Sequence, residues 1–492
     1  MSLINVTNLT FRYEGSYDNI FENVSFQIDT DWKLGLVGRN GRGKTTLLNL
    51  FLNKYEYRGH IHSSVIFDYF PFFIKDVTKP VSEVVEEIYP NHIYWQLVRE
   101  LSLLGVDEEI IKQRFDTLSF GEQTKVMLAT LFLKAGNFLL IDEPTNHLDS
   151  EARKRVARYL QNKTGFILVS HDRSFLDDCI DHILAINKTN IEIVQGNFSS
   201  WYYNKMLQDN FEQNKNEKLK KEIIRLEKAS AEKKKWSDKL EKTKYGTRIS
   251  GLRPDRGYIG HKSAKLMKRA KVIEARSQQA IFEKASLLQD KENSEDLKLN
   301  PLPYFTNHLI TFHKVSIFYG YNMVCDDISF TINQNDRVVL RGRNGSGKTS
   351  IIKALLGEAI KYQGFIDVGS NLMISYVPQS TTNLTGSLSE YIASYNIDES
   401  LFKAILRKLD FSRIQFEKDM ASFSEGQKKK VLIARSLSEK AHLYIWDEPL
   451  NFIDVISRIQ IETLILKYQP TILLVEHDQA FCDKIATKII TI

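Results

Sequence analysis

The chain has 492 residues, 42% of them hydrophobic and 26% charged, with a formal net charge of +6. That length exceeds one ordinary core and points to about two to four units of a globular protein, and no window holds the roughly 18 to 20 uncharged apolar residues of a membrane helix. The opening MSLINVTNLTFRYEG alternates like a strand and lacks the basic and apolar runs of a signal peptide, while the cysteines Cys179, Cys325 and Cys482 are odd in number and far apart. Both features argue for a reducing, cytoplasmic location and against a disulfide framework or a zinc site.

Up to about residue 200, apolar runs (WKLGLVG, FLLID, GFILVS) alternate with helical stretches. The pattern predicts an α/β domain with a largely parallel sheet. WKLGLVG leads into Gly38–Thr45, which fits G-x-x-x-x-G-K-[ST] and opens a helix-like TLLNLFL. Gly38, Gly41 and Gly43, with Asn40 and Thr46 in the same loop, let backbone N–H groups curl around phosphates. Lys44 neutralises the β/γ oxygens and Thr45 offers a hydroxyl to Mg²⁺. Tyr13, 25 residues upstream of the loop, either stacks on adenine or belongs to the core. Asp142 ends an apolar strand and suits Mg²⁺; Glu143 comes next and can polarise an attacking water. His171 follows another strand, where it can reach a γ-phosphate.

A different composition follows. Residues 201–292 hold 24 Lys+Arg against 13 Asp+Glu. From 203 to 242 there is no Pro or Gly, and good helix formers dominate. Leu219, Ile223 and Leu226 begin an apolar stripe; Leu266, Ala270, Ile273, Ala280 and Leu287 form a second. Gly246, Gly251, Pro254, Gly257 and Gly260 break any helix between them. The expectation is a helical hairpin reaching on the order of 60 Å. Residues 239–276 carry 12 basic side chains against 3 acidic ones. Lys244, Tyr245, Arg248, Arg253, Arg256, Tyr258, His261, Lys262, Lys265, Lys268 and Arg269 mix phosphate-binding cations with rings able to stack on unpaired bases. That mixture favours RNA contact over a solvated spacer.

The first pattern then recurs. GRNGSGKTS presents Gly342, Asn344, Gly345, Gly347, Lys348, Thr349 and Ser350; Tyr319 precedes it, as Tyr13 precedes the first loop. SFGEQ from Ser119 returns as SEGQ from Ser424, Asp142–Glu143 as Asp447–Glu448, and His171 as His477. All return at offsets of 304 to 306 residues. Unusual motifs at a nearly constant offset mean a duplicated domain. The expected division is a first domain at 1–200, a basic helical linker at 201–300 with its tip near 243–262, and a second domain at 301–492.

The whole set resembles the ATP-binding cassette superfamily, which implies two tandem P-loop NTPase domains, ATP and Mg²⁺ as cofactors, and ATP hydrolysis. By that resemblance TLSFGEQ and SFSEGQ are signature motifs. Ser119 and Gly121 would complete the site built on Lys348, and Ser424 and Gly426 the site built on Lys44. Gln379 in SYVPQS matches the family's Q-loop glutamine, a Mg²⁺ ligand, whereas the first copy has Phe72 there. EPLNFID places Leu450 and Phe452 where the first copy has Thr145 and His147. The two sites are therefore expected to be non-equivalent. The EPTNHLD form, two cassettes in one chain, a basic linker and no membrane domain resemble the ABC-F proteins, which act on ribosomes. GYIGHKSAKLMKRAK looks like the linker of Lsa-type members. That implies a 70S ribosome partner bound at the exit site. The linker tip would reach 23S rRNA and peptidyl-tRNA near the peptidyl-transferase centre, giving resistance to lincosamides, pleuromutilins and streptogramin A. HIYWQLVRELSLLG, about 88–106, would be a small arm subdomain. The chain is expected to be a monomer with its cassettes paired, ending after its last strand without the extension of some relatives. A housekeeping ABC-F translation factor is the leading alternative; the fused ATPase subunit of an importer follows.

Overall fold

The structure is a computed structural model. It describes residues 2–14, 19–134, 136–146, 148–187, 190–242, 261, 265, 268, 297–320, 322–343 and 345–492. The chain divides into two compact units, Met1–Trp201 with Ser294–Ile492, and Tyr202–Asn293. The first unit contains both cassettes.

The first cassette has strands Leu3–Phe11 (β1), Phe21–Asp29 (β2), Lys33–Val37 (β3), Arg58–His62 (β4), Phe67–Phe70 (β5), Phe138–Asp142 (β6), Phe166–Val169 (β7), His182–Ile186 (β8) and Ile191–Gln195 (β9). The second has His308–Tyr319 (β10), Asn322–Asn333 (β11), Arg337–Arg341 (β12), Lys361–Val368 (β13), Ile374–Val377 (β14), Leu443–Asp447 (β15), Ile472–Val475 (β16) and Lys488–Thr491 (β17). The main sheets run β5-β6-β7-β3-β8-β9 and β14-β15-β16-β12-β17. All their pairings are parallel except β8–β9. Strands such as FILV and ILLV are buried at every residue, as parallel strands covered on both faces must be.

Each cassette also carries a three-stranded antiparallel sheet, β2-β1-β4 and β11-β10-β13, which the parallel-sheet expectation did not contain. Along β11 buried and exposed residues alternate from Ile328 to Ile332 because only one face packs on the core. The two-stage arrangement leaves the carboxyl ends of β3, β6 and β7, and of β12, β15 and β16, together at one edge. Loops leaving such an edge are where a parallel α/β sheet gathers its ligand-binding residues.

In the second unit the helix Phe198–Lys242, which begins in the first, spans 45 residues. Its length reflects the absence of Pro and Gly. Of the candidate RNA-contacting residues, His261, Lys265 and Lys268 are helical and exposed. Lys244, Tyr245, Arg248, Arg253, Arg256, Tyr258, Lys262 and Arg269 lie outside the described residues, as does the expected loop at 243–262 apart from His261. The 88–106 stretch forms the helix Tyr94–Leu103, with Ile93, Tyr94, Trp95 and Leu103 exposed. No described helix is long and apolar enough to cross a membrane.

Candidate nucleotide-binding site

β3 delivers the first phosphate loop and β12 the second. Each loop ends in a left-handed glycine that caps the following helix, Gly43 at φ 89° before Lys44–Phe51 and Gly347 at φ 90° before Lys348–Leu355. A side chain at Gly43 would also meet Ile20 at 2.6 Å. The loops therefore need glycine both for conformation and for space. The Lys44 ammonium donates to the carbonyls of Gly38 at 2.8 Å and Arg39 at 3.3 Å and to Asn40 Oδ1 at 3.2 Å. Lys348 repeats this with Gly342 at 2.9 Å and Arg343 at 2.8 Å. Burial lowers both lysine pKa values, and the neighbouring carboxylates oppose it. Asn344 and His147 lie outside the described residues.

Asp142 ends β6 and Asp447 ends β15. Glu143 and Glu448, next in sequence, both have positive φ, 52° and 47°. Both copies thus share a left-handed backbone here, which is uncommon for a residue other than glycine. His171 Nε2 lies 3.2 Å from Glu143 Oε1, and His477 Nε2 3.5 Å from Glu448 Oε1. Thus the carboxylate–histidine pair is assembled twice, each member at the end of a neighbouring parallel strand.

The environments of the two pairs differ. Burial, and then Asp142, pushes the Glu143 carboxyl up to about 8. Burial also pushes Glu448 up, but hydrogen bonds from His477 and Gln379 outweigh it and the net shift is downward. Phe72, at the position of Gln379, can supply no such bond. Leu450 and Glu476 form a second exchange. In the first copy the Thr145 and Ser170 hydroxyls lie 3.1 Å apart. In the second, Glu476 accepts from the backbone N–H groups of Leu450 at 3.2 Å and His477 at 2.9 Å. The carboxylate thus does for that loop what the hydroxyl pair does in the first.

The donor set fits a hard divalent cation. Thr45 Oγ1 lies 3.0 Å from Asp142 Oδ2, which also accepts from Tyr69 at 3.0 Å. Both Asp447 carboxylate oxygens are buried without a hydrogen-bond partner of normal geometry. Burial, offset in part by Thr349, raises that carboxyl to about 6. Thr45 with Asp142, and Thr349 with Asp447 and Gln379, are the residues that would hold Mg²⁺. A bound Mg²⁺ would neutralise charge on the β/γ-phosphate oxygens.

Neither cassette completes its site alone. A cavity of about 780 Å³ is lined by Tyr319, Gly345, Gly347, Lys348, Thr349, Ser350, Gln379, Glu448 and His477 from the second cassette and by Ser119, Gly121 and Glu122 from the first. Its volume and mixed polar lining suit a nucleoside triphosphate. Ser119 and Ser424 each cap a helix, Phe120–Phe132 and Glu425–Ser438, through a reciprocal capping box. These N-termini favour phosphate oxygens. On the Lys44 side, Asn40 donates to the Phe452 carbonyl at 2.8 Å. A Cβ on Gly426 would sit 2.5 Å from that oxygen and 2.9 Å from Asn40 Nδ2. Glycine is required there by close approach. Tyr13 meets Phe11 and Tyr55 edge-on and bonds Thr46 at 2.8 Å; Tyr319 bonds Ser350 at 3.3 Å and faces the cavity.

The motif reading missed the charges that bind the cassettes together. Arg173 donates to Glu462 at 2.5 Å, with Lys484 also on Glu462 at 3.0 Å. Within the second cassette Lys430 pairs with the fully buried Asp454 at 2.9 Å, and Lys430 together with Lys44 of the first cassette holds that carboxyl well below its ordinary range against the opposing effect of burial. Arg39 and Arg42 approach Asp410 at 4.0 and 3.7 Å. On the Lys348 side Arg343 and Glu151 pair at 3.7 Å, both exposed. Asp454 and Asp149 recur at the domain offset, a signal available to sequence reading. Arg173 and Glu462 do not recur: Gln479 and Ala157 occupy their counterparts.

A paired, head-to-tail ATP-binding cassette is the class these features define. The ABC transporter family matches residues 21–146 and 325–451. The ribosome protection protein VmlR of Bacillus subtilis (strain 168) is 26% identical over 490 residues, covering 98% of this chain and 85% of that protein. The energy-dependent translational throttle protein EttA of Escherichia coli (strain K12) is 24% identical over 528 residues, covering 96% and 89%. In fold, the chain is similar to an archaeal ribosome recycling factor solved with a ribosomal stalk protein, at TM-score 0.61 and 18% identity, covering 98% and 87%. The chain belongs to the ABC transporter family, as a tandem-cassette ATP hydrolase of the ABC-F type.

The Arg173–Glu462 pair yields a direct test. Removing one partner of a buried ion pair costs about 3–5 kcal/mol, reduced here because Lys484 keeps Glu462 paired. A double-mutant cycle on Arg173→Ala and Glu462→Ala, read by denaturant unfolding, should give a coupling of about 1–3 kcal/mol. Additive losses would mean that the two side chains do not stabilise the cassette pairing together.

Proposed function

We propose that this ATPase acts on the ribosome as a translation factor, with its basic segment against ribosomal RNA. The observation that carries this reading is the composite cavity. It joins Lys348 and Glu448 of one cassette to Ser119 and Gly121 of the other, so nucleotide bridges the cassettes and its binding favours their closure. A closure of that kind does mechanical work only on something attached to it. The basic block 239–276 supplies the attachment, because cations contacting phosphates give RNA affinity. The names of VmlR and EttA place those two relatives in ribosome protection and translational control.

In the proposed cycle Lys44 and Lys348 grip phosphate, and Ser119 with Gly121, and Ser424 with Gly426, close on it from the facing cassette. Glu143 and Glu448 orient the attacking water, and His171 and His477 fix the carboxylates and reach the γ-phosphate. Hydrolysis removes the group that both cassettes hold, and the closed state loses its advantage. The driving energy is the difference in nucleotide affinity between the open and closed states. Glu143→Gln with Glu448→Gln should therefore bind ATP without turnover and stay on ribosomes. Sedimentation with ATP should show retention increased by about tenfold or more over the unmodified chain; release as fast as wild type would contradict the cycle.

A narrower reading is resistance to lincosamides, pleuromutilins and streptogramin A by ribosome protection at the exit site. It is favoured by the near full-length match to VmlR and by GYIGHKSAKLMKRAK. Expression in a susceptible host should raise the inhibitory concentrations of these three classes by about fourfold or more and leave an unrelated cell-wall drug unchanged. A fourfold change corresponds to about 0.8 kcal/mol of shifted drug binding. No change for any of the three would leave the general translation-factor reading alone.

A further inference from the structure

Lys429 is 1% exposed, and its counterpart in the first cassette is Thr124. A lysine this deep is costly unless its charge is compensated and its donors are used. Its ammonium donates to the Pro378 carbonyl at 2.9 Å and lies 3.5 Å from the Asp447 carbonyl. Burial pulls its pKa down to about 8, against Glu476, Asp447, Glu448 and Glu425, which favour its charge. Pro378 immediately precedes Gln379, and Asp447 immediately precedes Glu448. One side chain therefore ties the backbone of the Q-loop to the end of β15.

Lys429 also stands on the helix Glu425–Ser438, whose N-cap Ser424 and first-turn Gly426 belong to the signature facing the Lys44 loop. The same rigid helix touches one nucleotide site at its tip and the acidic groups of the other about a turn further on. The first cassette has no equivalent. Thr124, Ser170 and Phe72 stand where the second has Lys429, Glu476 and Gln379.

We propose that Lys429 is a positioning residue for ATP hydrolysis at the Lys348 site, holding the Gln379 loop and the Asp447–Glu448 strand end in register with the helix that carries Ser424 and Gly426. It touches no substrate atom. Its removal leaves the phosphate loop and the Ser119 cap intact, so nucleotide still binds. What is lost is the geometry of Gln379 and Glu448 in the transition state.

The test is steady-state ATP hydrolysis by the full chain carrying Lys429→Met. kcat should fall to about half if the Lys44 site keeps turning over by itself, and by about tenfold or more if the sites fire together. KM for ATP should stay within about twofold, because an interaction felt only in the transition state changes kcat and not ground-state binding. Should Lys429→Met fail to fold, Lys429→Thr, which installs the residue the first cassette has at this position, carries the same test. Wild-type kcat in either folded variant, or a loss that appears wholly in KM, would overturn the proposal.

Discussion

The structure depends on one contact made twice: the capped N-terminus of a signature helix set against the phosphate loop of the other cassette. Ser119 and Gly121 face Lys348 across a shared cavity, and Gly426 packs so closely on Asn40 and Phe452 that a methyl group would not fit. Helix N-termini and left-handed glycine loops both present N–H groups to anions. Bringing one of each to the same phosphate requires the two halves to lie head to tail. The duplication, the spacing of the motifs and the buried charges between the halves all serve that placement.

Among the described residues, the charged contacts across the pairing differ between the two sides. The Lys44 side carries Arg173–Glu462 and the Arg39/Arg42–Asp410 cluster. The cross-cassette ion pair on the Lys348 side, Arg343–Glu151, is exposed and weak by comparison. The acid–base environments follow the same division. Burial raises Glu143, whereas His477 and Gln379 bring Glu448 down. The exchange of Thr145 and Ser170 for Leu450 and Glu476 shows how the second copy keeps its loop satisfied by different chemistry.

The parts of this design that repeat were legible in the sequence. Phosphate loops, strand-end acids, histidines and signatures recur at a constant offset, and each sits on the element expected for it. Residues that act across the pairing without recurring were not legible. Arg173 and Glu462 are 289 positions apart and have Gln479 and Ala157 at their counterparts. Lys429 is the middle of three consecutive lysines, and nothing in the sequence singles it out as the one with 1% exposure. The alternation of β1 was legible, but its place in a separate antiparallel sheet was not, because that depends on pairing with β2 and β4 rather than on any local period.

If the cassettes close on each other within one chain, Arg42 and Asp410 come together whenever nucleotide is held. The cysteines already present in the described residues are buried. Cysteines introduced by Arg42→Cys and Asp410→Cys, treated with a short bis-maleimide in the Glu143→Gln, Glu448→Gln background, should cross-link within a single chain and faster with ATP than without. Cross-linked dimers as the main product, or a rate indifferent to ATP, would contradict the account.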